Sequence, residues 1–274
     1  MKYQIKDGTV TLGGETILSH IDFEIQGNQK IAVVGRNGAG KTTLLRLIAG
    51  ELSLDRDDRR QGPGITASRQ LTVEMLGQQA LAGEERTVEE LVMLDCPAKG
   101  PFDRERFEYE REYDTLFTGL GFQKEDKKRS VAAFSGGQKT KIALIQLLLK
   151  KPDLLLLDEP TSSLDLRHQV EVLTTARRVA TKQGKGVILS MHDINLAARY
   201  ADTILLMKDG GIVASGAPAD VLTGERIASV YGLPMRAFHA ADNPQVSLWF
   251  PDTTEEGAVF PSRSGIFQEE DMEQ

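Results

Sequence analysis

The segment Gly35-Arg36-Asn37-Gly38-Ala39-Gly40-Lys41-Thr42-Thr43 fits the pattern G-x-x-x-x-G-K-[ST] and constrains the fold more than any other stretch of the chain. A loop of this kind wraps backbone N–H groups around an anion, and it needs a strand before it and a helix behind it. Both flanks are present. Ile31-Ala32-Val33-Val34 is a short apolar, β-branched run that reads as a buried strand, and Thr42 to Ala49 has helical spacing and stops at Gly50.

Each residue of the loop has a separate task. Gly35, Gly38 and Gly40 allow a tight backbone and close approach to a ligand. Lys41 supplies a cation for the β and γ phosphates of a nucleotide, and the Thr42 hydroxyl can ligate magnesium. Taken alone, the match could be a glycine-rich turn. Leu154-Leu155-Leu156-Leu157-Asp158-Glu159 narrows the choice, because it is an apolar run of strand length that ends in two acids. In open α/β sheets, ligands sit outside the carboxyl ends of strands, so both carboxylates would reach the phosphates. Asp158 would hold Mg2+, directly or through water, and Glu159 would orient or deprotonate the attacking water. The expected ligands are therefore ATP and Mg2+.

Between these segments, Ser135-Gly136-Gly137-Gln138 reads as a loop opening a helix from Lys139 to Lys150, a second helix N-terminus that backbone N–H groups could turn toward an anion. At this position it resembles the signature sequence of ATP-binding cassette (ABC) proteins, and the likeness runs over roughly residues 1 to 240. The resemblance implies a P-loop NTPase core with a mostly parallel sheet, an N-terminal antiparallel β layer and an inserted helical subdomain at about 80–140. It also assigns further residues. Gln78 looks like the glutamine that links the magnesium site to the helical subdomain, Asp165 like the dimer-contact loop, and His192 like the switch histidine that contacts the γ-phosphate. Without the family, a histidine after an apolar strand reads as a packed core residue, and Gln78 beside Gln79 reads as surface. The family's use of these parts implies a homodimer, in which the phosphate loop of one subunit and the signature loop of the other enclose each ATP. One position departs from the pattern. Leu12 stands where the family places an aromatic side chain to stack on adenine, and the expectation is weaker or less base-selective nucleotide binding.

The two halves of the chain resemble different branches. Residues 1 to about 160, with Phe134-Ser135-Gly136-Gly137-Gln138-Lys139-Thr140-Lys141, are similar to the ABC-F group, soluble proteins that act on ribosomes. Residues from about 162 to 240 differ. Ser162-Ser163-Leu164-Asp165 and Met191-His192-Asp193-Ile194-Asn195-Leu196 are similar to ATPase subunits of importers for iron-siderophore, haem or cobalamin complexes. A hybrid gene, a designed chimera or an unusual natural lineage would all read this way. ABC-F proteins generally carry two cassettes joined by a helical linker, whereas this chain has one cassette and no linker. The importer reading, with membrane permease subunits as partners, is therefore preferred over a ribosome partner or an orphan cassette. A module that binds ATP but turns over little is disfavoured by Glu159, the general base.

Composition sets the remaining bounds. The formal net charge is −7, but residues 252–274 carry seven acids and one arginine, so the rest is nearly neutral. That argues against direct DNA binding. The run Lys124, Lys127, Lys128 and Arg129 reads as a solvated face. A single cysteine, Cys96, excludes an intrachain disulfide. No leader is visible and no apolar run approaches the roughly 18 residues that span a bilayer, so the expected location is cytoplasmic, peripheral at the inner face of the cell membrane. Turn signals at Asp7-Gly8, Gly13-Gly14 and Gly27-Asn28 divide an alternating N-terminal region, and residues 51 to 70 read as an exposed hairpin or loop. Mostly helical character runs from Thr87 to Gly121, broken at Pro97, Gly100 and Pro101. A hairpin is expected around Lys208-Asp209-Gly210-Gly211, and a helix over Glu225 to Tyr231. The ATPase domain is taken as 1–250, followed by an acidic, disordered tail over 251–274.

Overall fold

A computed structural model describes residues 2–55, 64–77, 80–97, 100, 102–162, 164–240 and 243–251. The acidic tail beyond Pro251 and the predicted Gln78 lie outside these residues. One unit of the fold ends at Val221 and a second begins at Leu222.

The first unit opens with β1 (Lys2–Leu12) and β2 (Glu15–Gln26), an antiparallel pair that turns at Gly13-Gly14. Asp7-Gly8 is not a turn. Asp7 adopts a positive φ of 47°, and the pairing slips between Ile5 and Gly8, so one long strand passes through the site as a bulge. After β3 (Lys30–Val34) and α1 (Lys41–Ile48), the short β4 (Ile65–Ala67) pairs with β1 and completes a three-stranded antiparallel layer. Part of the stretch read as an exposed hairpin or loop is thus a strand, held by backbone pairing to Tyr3, Gln4 and Ile5.

Next come β5 (Val73–Leu76), α2 (Val88–Met93), α3 (Arg104–Gly119) and α4 (Gly136–Leu149). Helix α4 starts at Gly136, three residues before the expected Lys139, because the Ser135 side chain accepts from Gln138 N–H while the Gln138 side chain accepts from Ser135 N–H. This reciprocal capping makes Gly136 to Gln138 the first turn. The three helices share an aromatic interior. Phe117 stacks on Phe122 with ring centres 4.6 Å apart, Tyr113 lies 5.3 Å from Phe117, and Phe122 meets Phe134 edge-on at 5.9 Å. The basic run is partly consumed here: Lys127 sits 4.2 Å over the Tyr113 ring and pairs with Asp114, and Arg129 lies 4.3 Å over Phe134 and pairs with Asp126.

The chain then returns through β6 (Leu154–Asp158), α5 (Leu166–Gln183), β7 (Gly186–Met191), α6 (Ile194–Tyr200), β8 (Thr203–Lys208), β9 (Gly211–Gly216) and α7 (Pro218–Val221). The central sheet has the order β5-β6-β7-β3-β8-β9, parallel throughout except for β9, which forms the expected hairpin with β8. Strands β3, β6 and β7 are buried along their whole length, as continuous apolar runs demand when both faces are covered. The fold is therefore the expected α/β architecture, with a parallel-rich sheet and a separate antiparallel N-terminal layer.

The second unit holds α8 (Gly224–Tyr231) and the antiparallel pair β10 (Met235–Ala240) and β11 (Asn243–Pro251). Gly224 lies close to the Met235 carbonyl and the Trp249 ring, which joins helix to hairpin.

Candidate nucleotide site

The carboxyl ends of β3, β6 and β7 bring the phosphate loop, the two acids and His192 together. Each predicted loop glycine has its own structural reason. Gly38 and Gly40 adopt φ of 79° and 96°, conformations that L side chains rarely take. Gly35 is needed for a different reason than ligand approach: a Cβ there would lie 2.4 Å from the Met207 carbonyl oxygen of β8. Arg36 and Ala39 close a tight turn, with Ala39 N–H donating to Arg36 O at 3.2 Å, and Asn37 lies between them.

Helix α1 is flanked at its start by Gly40, with no side-chain cap and no acid in its first turn, whereas α2, α3, α4, α5, α6 and α8 are capped by Thr87, Asp103, Ser135, Asp165, Asp193 and Thr223. A helix start that no side chain caps keeps its N–H groups for an anion. Lys41 is only 4% exposed, and its ammonium donates to Gly35 O at 3.0 Å and Arg36 O at 3.1 Å. Burial pushes this ammonium below its ordinary pKa, and the charges of Glu159 and Asp158 oppose the shift. Thr42 Oγ1 donates to Asp158 Oδ1 at 3.1 Å, while Thr43 continues the helix. The hydroxyl and carboxylate are hard oxygen donors of the kind Mg2+ takes, which usually binds one or two protein oxygens and leaves the rest of its shell to phosphates and water.

Glu159 stands just past the strand with φ of 47°, unusual for a non-glycine residue. Its carboxylate pairs with His192 Nε2 and lies 3.8 Å from Lys41 Nζ. The three predicted side chains Lys41, Glu159 and His192 thus meet. Asp165 caps α5, accepting from His168 N–H at 2.9 Å and lying 2.8 Å from His168 Nδ1, and these contacts hold its carboxyl below the usual range. In the predicted signature, Gly137 abuts Leu164, where a Cβ would come within 2.8 Å, and Gly136 faces open space. Leu12 ends β1 beside the hairpin turn and is 39% exposed. Strand β2 reaches the phosphate loop, since a Cβ on Gly40 would meet Leu18 at 2.8 Å.

Sequence reasoning missed three contributors. Ser190, read as part of an apolar strand, donates to Asp158 Oδ1 at 2.6 Å and accepts from Glu159 N–H at 2.8 Å. Gln169 ties down the segment after Glu159 by donating to Thr161 O at 3.2 Å and Leu164 O at 3.0 Å. Lys141, buried in α4, pairs with Glu171 of α5 and donates to Leu120 O at 3.2 Å. For Ser190, a lone polar residue inside an apolar run was the available signal; Gln169 and Lys141 stand among other polar residues, which hid them.

Phosphate loop, start of α1, buried lysine and acid-tipped parallel strand together define a P-loop nucleotide hydrolase. The chain belongs to the ABC transporter family, whose sequence pattern matches residues 18–162, and it is an ATPase that works with ATP and Mg2+. It is 36% identical over 250 residues to the hemin import ATP-binding protein of Rhodopseudomonas palustris strain BisA53, covering 85% of this chain and 89% of that one. The corresponding protein of Vibrio cholerae is 36% identical over 247 residues, covering 84% and 90%. Among solved structures, the ATP-binding subunit of an ABC transporter superposes with a TM-score of 0.68 at 25% identity, covering 85% of this chain and 95% of that one. An ABC transporter chain in an inward-facing conformation gives a TM-score of 0.76 at 23% identity, covering 91% and 96%. Among the described residues, no helix is long and apolar enough to cross a membrane.

Proposed function

We propose that the chain is the ATP-hydrolysing subunit of an importer for haem or a similar iron complex. The observation that carries this reading is the identity of 36–38% to hemin import ATP-binding proteins over 84–85% of the chain, an extent that includes both halves. In this reading two copies form a homodimer around two ATP molecules and grip membrane permease subunits, which places the protein at the inner face of the cell membrane. Residues 1–250 act as the ATPase domain. The ribosome alternative has no comparable support.

Lys41 and the start of α1 receive the β and γ phosphates, with Gly35 to Thr43 as the cradle and Leu12 against the base. Thr42 and Asp158, together with Gln78, would hold Mg2+. When bound, the ion would supply charge neutralisation on the phosphate oxygens. Glu159 orients and deprotonates the attacking water, and His192 contacts the γ-phosphate. The direct contact between His192 Nε2 and the Glu159 carboxylate supports this assignment, since groups that act at one phosphate must converge on it. The signature residues Ser135, Gly136, Gly137 and Gln138 face the phosphates bound by the other subunit, and Asp165 lies at the dimer contact.

The test is affinity purification of the tagged chain from detergent-solubilised membranes of its host, with haem-dependent growth scored in a strain lacking the chain. Recovery of a polytopic permease, with growth on haem restored by the intact chain, is expected. Recovery of ribosomes, or unimpaired growth on haem without the chain, would overturn the reading.

A further inference from the structure

Strand β7 reads Gly186-Val187-Ile188-Leu189-Ser190-Met191, and Ser190 is its one hydroxyl, fully buried in an otherwise apolar strand. In the parallel register it stands beside Asp158 of β6. A serine hydroxyl has one proton to give and lone pairs to accept with. Glu159 N–H can only donate, and does so to Ser190 Oγ at 2.8 Å. The hydroxyl proton is thereby directed to Asp158 Oδ1 at 2.6 Å. Thr42 Oγ1 donates to the same oxygen at 3.1 Å. One hydroxyl thus connects the backbone of one acid to the carboxylate of the other.

The connection falls where the backbone is least comfortable. Glu159 has φ of 47°, and its carbonyl is held from the other side by Ser162 N–H at 3.2 Å and Ser162 Oγ at 3.0 Å. Glu159 is therefore clamped at both its N–H and its C=O while its side chain reaches Lys41 and His192. Removing the Ser190 hydroxyl would leave a partly buried N–H without its acceptor and would strip Asp158 Oδ1 of one of two donors.

We infer that Ser190 is a positioning residue for hydrolysis: its hydroxyl fixes the Asp158 carboxylate for the metal and the Glu159 backbone for the attacking water. The inference rests on the roles proposed above for Asp158 and Glu159. Outer partners of this sort typically matter by about 10–100-fold in metal affinity or activity.

The experiment compares Ser190→Ala with Ser190→Thr, which keeps the hydroxyl. Ser190→Ala is expected to lower kcat about tenfold and to raise the Mg2+ needed for half-maximal rate several-fold, with the half-saturating ATP concentration at excess Mg2+ changed less than about twofold. Independently of turnover, Mn2+ held by the nucleotide complex, read by electron paramagnetic resonance, should bind about tenfold more weakly. Ser190→Thr should recover most of the loss in each readout. Unchanged kcat and metal affinity in Ser190→Ala would overturn the inference, as would parallel losses of ATP affinity and thermal midpoint with an unaltered metal requirement, the pattern of a purely structural residue. An intact chain that hydrolyses no ATP would instead remove the functional reading itself.

Discussion

At the carboxyl end of the parallel sheet, the buried groups are polar and each is named by its hydrogen bonds: Lys41 to two loop carbonyls, Ser190 to two acids, Asp158 to two hydroxyls. The layer of α2, α3 and α4 is the opposite. Its interior is Tyr113, Phe117, Phe122 and Phe134, held by ring contacts, with Lys127 and Arg129 lying over the rim. Hydrogen bonds fix direction, and aromatic packing fills space with less demand on the position of any single atom. The first region can hold reacting groups in place, and the second can hold a helix start such as Ser135 at a chosen place without taking part in chemistry.

Three substitutions test that contrast. Glu159→Gln should lower ATP turnover by about 100- to 10,000-fold, because general acid–base catalysis contributes on that scale, while the thermal midpoint stays close to that of the parent chain. It should also trap an ATP-bound dimer, visible as a shift in gel-filtration volume that ATP induces and that persists. Turnover within tenfold of the parent would remove Glu159 from the base role. Phe117→Ala should do the reverse, costing about 3–5 kcal/mol of stability by opening a cavity in the aromatic interior. Denaturant titration measures this, and a loss under about 1 kcal/mol would mean that the layer repacks freely. Tyr113→Phe carries the smallest effect. The Tyr113 hydroxyl is buried and has no hydrogen-bond partner among the described residues, so its removal should leave stability unchanged or raise it by up to about 1 kcal/mol. Set beside Ser190→Ala, it asks what deleting one buried hydroxyl does in each region. Equal losses in both would erase the contrast.

The legibility of the chain followed the same division. Elements whose signals are local could be read directly: the strand at Val33, the helix behind Lys41, the hairpin around Asp209-Gly210. Readings failed where a local signal had two outcomes. Asp7-Gly8 carries turn chemistry, but pairing along both sides of it to β2 kept the strand going and turned the signal into a bulge. Gly136 and Gly137 suggested a loop, yet the reciprocal bonds between Ser135 and Gln138 draw them into the first turn of α4. The run read as solvated charge is exposed at Lys124, Lys128 and Arg129, and Lys127 alone is half-buried, over the Tyr113 ring.

The sequence alone determined the chemistry, since a phosphate loop, a lysine and an acid-tipped strand are each written in contiguous residues whose backbone geometry is set by near neighbours. The tertiary structure decided how that chemistry is held. Ser190 meets Asp158 only through the register of two parallel strands, Gly35 is fixed by a carbonyl of β8, and Gly137 by Leu164. Such contacts join residues far apart in the chain, and only the packing of the whole sheet determines which of them meet.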